Sequence, residues 1–209
     1  MNIRCSFSKQ SIKSLAWLLI LPAAFIIYLG ISAFTQNADP GSAPDPNRFT
    51  KVVLTEAGKL DEPMEMTFLP DGRVLIVERK GGLKSVDSKT GAVKLLATIP
   101  VNTKYKNKKG QLREAEEGLM GIIAHPKYAQ NNFIYMYYAD PSDTKHVLAR
   151  WELKGDELVA ASKKVVLEVP TQREECCHTG GGMVFDPQGN LLITIGNNTV
   201  NPASGTSNL

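Results

Sequence analysis

Beyond residue 48 the apolar positions fall in short runs rich in β-branched side chains, each broken by a turn signal. Residues 64–69 lead through Pro70-Asp71-Gly72 into 74–77. Residues 119–124 lead through His125-Pro126-Lys127 into 133–138, and 183–185 lead through Asp186-Pro187-Gln188-Gly189 into 191–195. Apolar runs joined by such turns predict hairpins. Further strand-like runs occupy 93–99, 147–153 and 165–169. The turn prolines Pro70, Pro126 and Pro187 stand 56 and 61 residues apart, which leaves room for four short strands per repeat. That spacing is the signature of a β-propeller, whose sheets pack radially about an axis. Helical periodicity is absent from this part. A β-sandwich is the competing all-β architecture, disfavoured because the hairpins recur with the same internal order. The reading is therefore an all-β propeller over 49–209 with about three blades, where closure needs typically about four to eight. The chain is expected to be a part of a longer propeller.

The first residues follow another pattern. Arg4, Lys9 and Lys13 precede an uncharged run over 15–34, long enough as a helix to span a bilayer of ~30 Å. A cleaved signal peptide has a shorter apolar region and a small-residue cleavage site, for which Ser32 and Ala33 give a hint. The expectation is a basic cytoplasmic tail over 1–14, a signal anchor (alternatively a signal peptide) over 15–34, and a Pro/Gly/Ser-rich linker over 35–48. The domain then lies on the periplasmic or extracellular side.

Composition changes this picture little. With 43% apolar residues in 209 the chain can bury a core. The net charge of +3 comes from the first segment, since without Arg4, Lys9 and Lys13 there are 21 basic and 21 acidic residues. A neutral domain lacks the clustered basic excess of a nucleic-acid binder. The run Lys104, Lys106, Lys108, Lys109 and Arg113 reads as a solvated loop.

The richest stretch for chemistry is Glu174-Glu175-Cys176-Cys177-His178-Thr179-Gly180-Gly181-Gly182. Histidine titrates nearest neutrality and can accept and return a substrate proton; the plainer role for His178 is to cap a loop. The glycines let backbone approach a flat ligand closely. Cys176 and Cys177 are either a vicinal disulfide or two free thiols, and a Cys-Cys-His metal site is disfavoured by the adjacency of its ligands. In a propeller the first strand of each blade lines the channel. Glu62-Pro63, Glu116-Glu117 and Cys177-His178 then meet around one mouth.

The segments 117–126 (Glu-Gly-Leu-Met-Gly-Ile-Ile-Ala-His-Pro), 132–135 (Asn-Phe-Ile-Tyr) and 178–196, from His178 to Gly196, closely resemble the soluble quinoprotein sugar dehydrogenases, also called glucose/sorbosone dehydrogenases. The resemblance implies a six-bladed propeller that binds pyrroloquinoline quinone with calcium over the channel mouth. It implies that His178 is the general base for the anomeric hydroxyl of an aldose, while hydride passes to the quinone and calcium acts as a Lewis acid. It gives cofactor contacts to Glu116, Gly180, Gly181 and Asn197. Glu116 stands where the family has a glutamine, and Asn197 where it has the aspartate that orients the base. Calcium ligands and further cofactor contacts are expected in later blades.

The leading function is thus an exported, membrane-anchored dehydrogenase oxidising an aldose to a lactone and passing electrons to a respiratory acceptor. Two other readings stand beside it: a non-catalytic propeller that binds carbohydrate or protein at the cell surface, and a lactonase-like hydrolase with a metal on Glu62, Glu116 and Glu117.

Overall fold

Twelve strands and one helical turn make up the described part of the chain, which comprises Arg48 and residues 50–197 of the computed structural model. The chain divides at Val53, and the unit before it lies almost wholly outside the described residues. The expected tail and anchor, and the linker up to residue 47, lie outside the described residues, as do residues 198–209. Among the described residues no helix is long and apolar enough to cross a membrane.

Strands β1 (Pro63–Phe68), β2 (Arg73–Glu78), β3 (Gly82–Asp87) and β4 (Val93–Thr98) form a four-stranded antiparallel meander. After a small hairpin, β5 (Lys104–Lys106) and β6 (Leu112–Glu114), a second meander follows. It contains β7 (Leu119–Ala124), β8 (Phe133–Ala139), β9 (Lys145–Lys154) and β10 (Glu157–Pro170). Strands β11 (Gly180–Phe185) and β12 (Leu191–Ile195) open a third unit. Two complete blades and the first hairpin of another are thus present, as the repeat predicts.

The turns behave as their residues demand. Gly72 at φ 89° donates its N–H to Leu69 O at 3.0 Å, and Gly189 at φ 87° donates to Asp186 O at 3.0 Å. Two expectations need correction. The 127–132 connection is a helical turn, α1 (Tyr128–Asn131), closed by Asn132 in a left-handed conformation. His125 supports it, its Nδ1 accepting from the Lys127 N–H and the Asn131 amide, both at 2.9 Å. The lysine-rich run is not a loop throughout, because β5 and β6 pair within it.

Strand alternation explains why the middle blade is so apolar. On β8 and β9, Ile134, Met136, Tyr138, Val147, Ala149, Trp151 and Leu153 face a core shared with Leu75, Val77 and Leu83 of the first blade. The intervening Tyr137 and Leu148 face a second core with Met183, Leu191 and Ile193 of the third. A sheet buried on both faces loses the polar half of its pattern. The outer blades keep an open apolar face: Met66 and Phe68 on β1, Val184 on β11 and Leu192 on β12 are exposed.

First strands lie side by side, β1 on β7 and β7 on β11, and glycine sets how closely. A Cβ on Gly121 would run into the Gly181 carbonyl oxygen, and one on Gly118 into that of Arg79. Backbone is an obstacle that cannot rotate away. Gly121→Ala should therefore destabilise the fold by about 1–3 kcal/mol, read as a lowered midpoint in urea unfolding with unchanged slope.

Candidate active site at the blade starts

The loop that delivers His178 is built from its base upward. Leaving β10, the chain reaches Arg173, whose Nε donates to Glu117 Oε1 at 3.0 Å and whose Nη2 donates to Asp140 O at 2.6 Å. The Gln172 side chain then accepts the N–H groups of Glu174 and Glu175. Lys106 N donates to Arg173 O at 3.0 Å and Lys108 pairs with Glu175, so the β5–β6 hairpin braces the loop. Cys176 and Cys177 are joined by a disulfide, which decides between the two states the sequence allowed.

Cys177 and His178 both have left-handed backbone, φ 91° and 63°. Side chains with a Cβ rarely adopt it, and it persists where the surroundings over-determine it. His178 is exposed, with Nδ1 3.1 Å from Asn197 Oδ1. An amide oxygen only accepts, so Nδ1 is the donor in this contact, and in the neutral ring Nε2 then keeps its lone pair. That leaves a base facing outward at the start of a first strand, with no described partner on Nε2.

The three glycines lie inside β11, and part of their need is internal. The space a Cβ would take at Gly181 belongs to Met120 and Tyr137, and at Gly180 to Thr194 O and the Gly196 backbone. Gly180 is exposed and Gly181 buried. Glu116 is exposed and makes no hydrogen bond or ion pair among the described residues.

The neighbouring carboxylates do not share one polar mouth. Glu117 is 4% exposed. Its Oε1 also accepts from Asn102 Nδ2 at 2.8 Å, and its Oε2 from His146 Nε2 at 2.8 Å. His146 Nδ1 lies 3.2 Å from the Tyr137 hydroxyl, whose pKa burial and then the Glu117 charge raise well above its ordinary value. Glu117 is thus an internal hub; the axial-pocket role expected of it is corrected. Sequence reasoning missed His146 and Arg173 because neither sits in a local motif. Glu62 pairs instead with Arg79 and with Lys80 at 2.9 Å. With Glu62 and Glu117 committed to cations, the metal set of the hydrolase reading is not assembled, and no group of three metal-ligating side chains occurs among the described residues.

A propeller whose first-strand rim carries an amide-oriented histidine defines the class, and the comparisons give the family. The family model for Glucose / Sorbosone dehydrogenase matches residues 60–208, so the chain belongs to that family. An uncharacterized protein of Synechocystis sp. (strain PCC 6803) is 27% identical over 197 residues, covering 85% of this chain and 47% of that one. Aldose sugar dehydrogenase YliI of Escherichia coli K12 is 25% identical over 150 residues, covering 70% and 38%. Among solved structures, the PQQ-bound aldose sugar dehydrogenase of Streptomyces coelicolor is 28% identical with a TM-score of 0.56, covering 72% of this chain and 42% of that one. The apo-form soluble aldose sugar dehydrogenase of E. coli is 25% identical with a TM-score of 0.58, covering 74% and 42%. The chain spans less than half the length of these relatives.

Two predictions follow from the charges. Glu117→Ala strands Arg173 and should cost about 3–5 kcal/mol, measured by denaturant unfolding. Hydrogen bonding to Arg79 and then Lys80 lowers the Glu62 pKa from 4.5 to about 2. A depressed carboxyl value means that the pair stabilises above about pH 4.5 and its contribution is lost as pH falls towards 2. The melting temperature should fall across that window, and Glu62→Gln should flatten the fall.

Proposed function

We propose that this chain forms the base-bearing part of a quinone-dependent aldose dehydrogenase, with His178 taking the proton from the anomeric hydroxyl of the sugar. One observation carries the reading: the contact of Nδ1 with Asn197 Oδ1 at 3.1 Å, which leaves Nε2 of the exposed ring without a described partner at the blade rim. A base needs its lone pair aimed at the hydroxyl before it needs any tuned acidity. Family membership, with a PQQ-bound relative, supports pyrroloquinoline quinone as the cofactor.

The residues at this rim fit such a group in part. Exposed His178 and Gly180 leave room for a flat ring system beside the base, and Gly181 would contribute through its backbone alone. Asn197 would serve the cofactor side by fixing the imidazole; as a neutral amide it holds the ring without compensating the imidazolium charge as a carboxylate does. Glu116, acceptor-only when ionised, supplies no donor to an anionic quinone. When bound, the quinone supplies the two-electron acceptor, and calcium, expected from the family resemblance, a Lewis acid. Calcium ligands are assigned to none of the described residues.

The sugar product is a lactone, the electrons go to a respiratory acceptor, and the domain works on the exported side of a membrane that residues 15–34 anchor. The unpaired Glu116 carboxylate favours a second reading, a propeller kept for binding carbohydrate or protein. The two separate in one assay of the intact protein given quinone, calcium and a panel of aldoses, followed by dye reduction. His178→Ala should lower kcat by roughly 10²–10⁴; full activity in that variant would remove His178 as the base. Folded protein that neither binds the quinone nor reduces dye would favour the binding module.

A further inference from the structure

We propose that the Cys176–Cys177 disulfide is the positioning element that fixes which ring nitrogen of His178 carries the proton. Its catalytic consequence rests on the base reading above, whereas the structural claim stands apart from activity.

Three observations converge on it. First, the disulfide ends at the residue adjacent to His178, and the left-handed backbone covers its second cysteine and the histidine together. A ring closed between neighbouring side chains restricts the backbone between them, and so holds φ of Cys177, one residue before the backbone that carries the imidazole. Second, the flanks are already held. Arg173 is tied to Glu117 and Asp140 O upstream, and downstream Gly196 lies against the His178 carbonyl, where a Cβ would collide, and donates its N–H to Thr179 O at 3.2 Å. The disulfide lies in the turn between these fixed points.

Third, the outcome is a particular tautomer. A free neutral imidazole favours the proton on Nε2, which would leave no lone pair facing outward. The hydrogen bond to Asn197 Oδ1 selects the Nδ1–H form instead. Relaxing the turn separates Nδ1 from Asn197 and returns the ring to its ordinary preference. The position is chemically reachable, because Cys176 lines an open basin of about 470 Å³ with Tyr105, Lys108, Arg113 and Glu175. A dithiol thiolate attacking one sulfur breaks the S–S bond. Two electrons and two protons pass to the cysteines, and the reagent leaves as its cyclic disulfide. The site is thereby sensitive to the redox state of its surroundings.

The test uses the full chain, labelled with nitrogen-15 in its histidines, without quinone or sugar, in mildly alkaline buffer that keeps rings neutral. His178 is assigned by its absence in His178→Gln. The oxidised chain should show Nδ1–H. After dithiothreitol, with two alkylatable thiols confirmed by mass, the signal should move to the Nε2–H form. Cys176→Ser/Cys177→Ser should reproduce that shift, as should Asn197→Ala with the disulfide intact, while Asn197→Asp should keep Nδ1–H. The dithiol arm leaves the sequence unaltered, so a poorly folding double variant does not remove the test. In dye reduction the double variant should lose about a hundredfold in kcat, the scale of a small misplacement, with KM little changed. Identical ring-nitrogen spectra before and after reduction would overturn the proposal. A tautomer shift with undiminished dye reduction, in a protein whose His178→Ala variant is also active, would instead overturn the base reading and leave the positioning role standing.

Discussion

A single buried carboxylate holds the described structure in register. Glu117 precedes β7 and takes its donors from three separate places: Asn102 between the blades, His146 on β9, and Arg173 on the loop leading to β11. A charge with so little exposure is tolerable only when both oxygens are saturated by donors. Each donor must therefore be where it is, and that requirement fixes the connection out of the first blade, the interior of the second and the entry to the third. The price is a fold that depends on one residue with no apolar substitute at hand. Dispersion and burial in the two cores supply the bulk of the attraction; the hub supplies the arrangement.

Much of the fold was legible because turns and apolar runs are local. Pro70-Asp71-Gly72 and Asp186-Pro187-Gln188-Gly189 name their hairpins directly. β3 was not named, because Gly82-Leu83-Lys84-Ser85-Val86-Asp87 mixes polar residues into a strand that is held by neighbours on both sides. The β5–β6 hairpin escaped for a similar reason: its residues are largely exposed, and its pairing is reinforced from outside by the Arg173 backbone.

The site divides in the same way. His178 announced itself through its glycine-rich surroundings, and Asn197 through the family resemblance. Glu116 and Glu117 are adjacent and chemically identical, yet at the bend before β7 one is exposed and the other buried. Which one faces inward depends on three partners as many as 56 residues distant, and nothing local distinguishes them. The glycines carried a double meaning: they leave the rim open and also let the first strands of adjacent blades approach at Gly121 and Gly181.

The base and its orienting amide sit on opposite arms of one hairpin. In the ladder, Gly180 pairs with Ile195, so His178 lies two residues before the pair and Asn197 two residues after it. They occupy the same rung, carried just past the end of the sheet. A slip of one residue would bring Gly196, which has no side chain, level with the imidazole. Proton placement at this rim is in that sense a property of strand alignment, set by the Gly180–Ile195 pair after the register shifts between Gly180 and Met183. A one-residue irregularity in a ladder thus decides which side chain meets the imidazole.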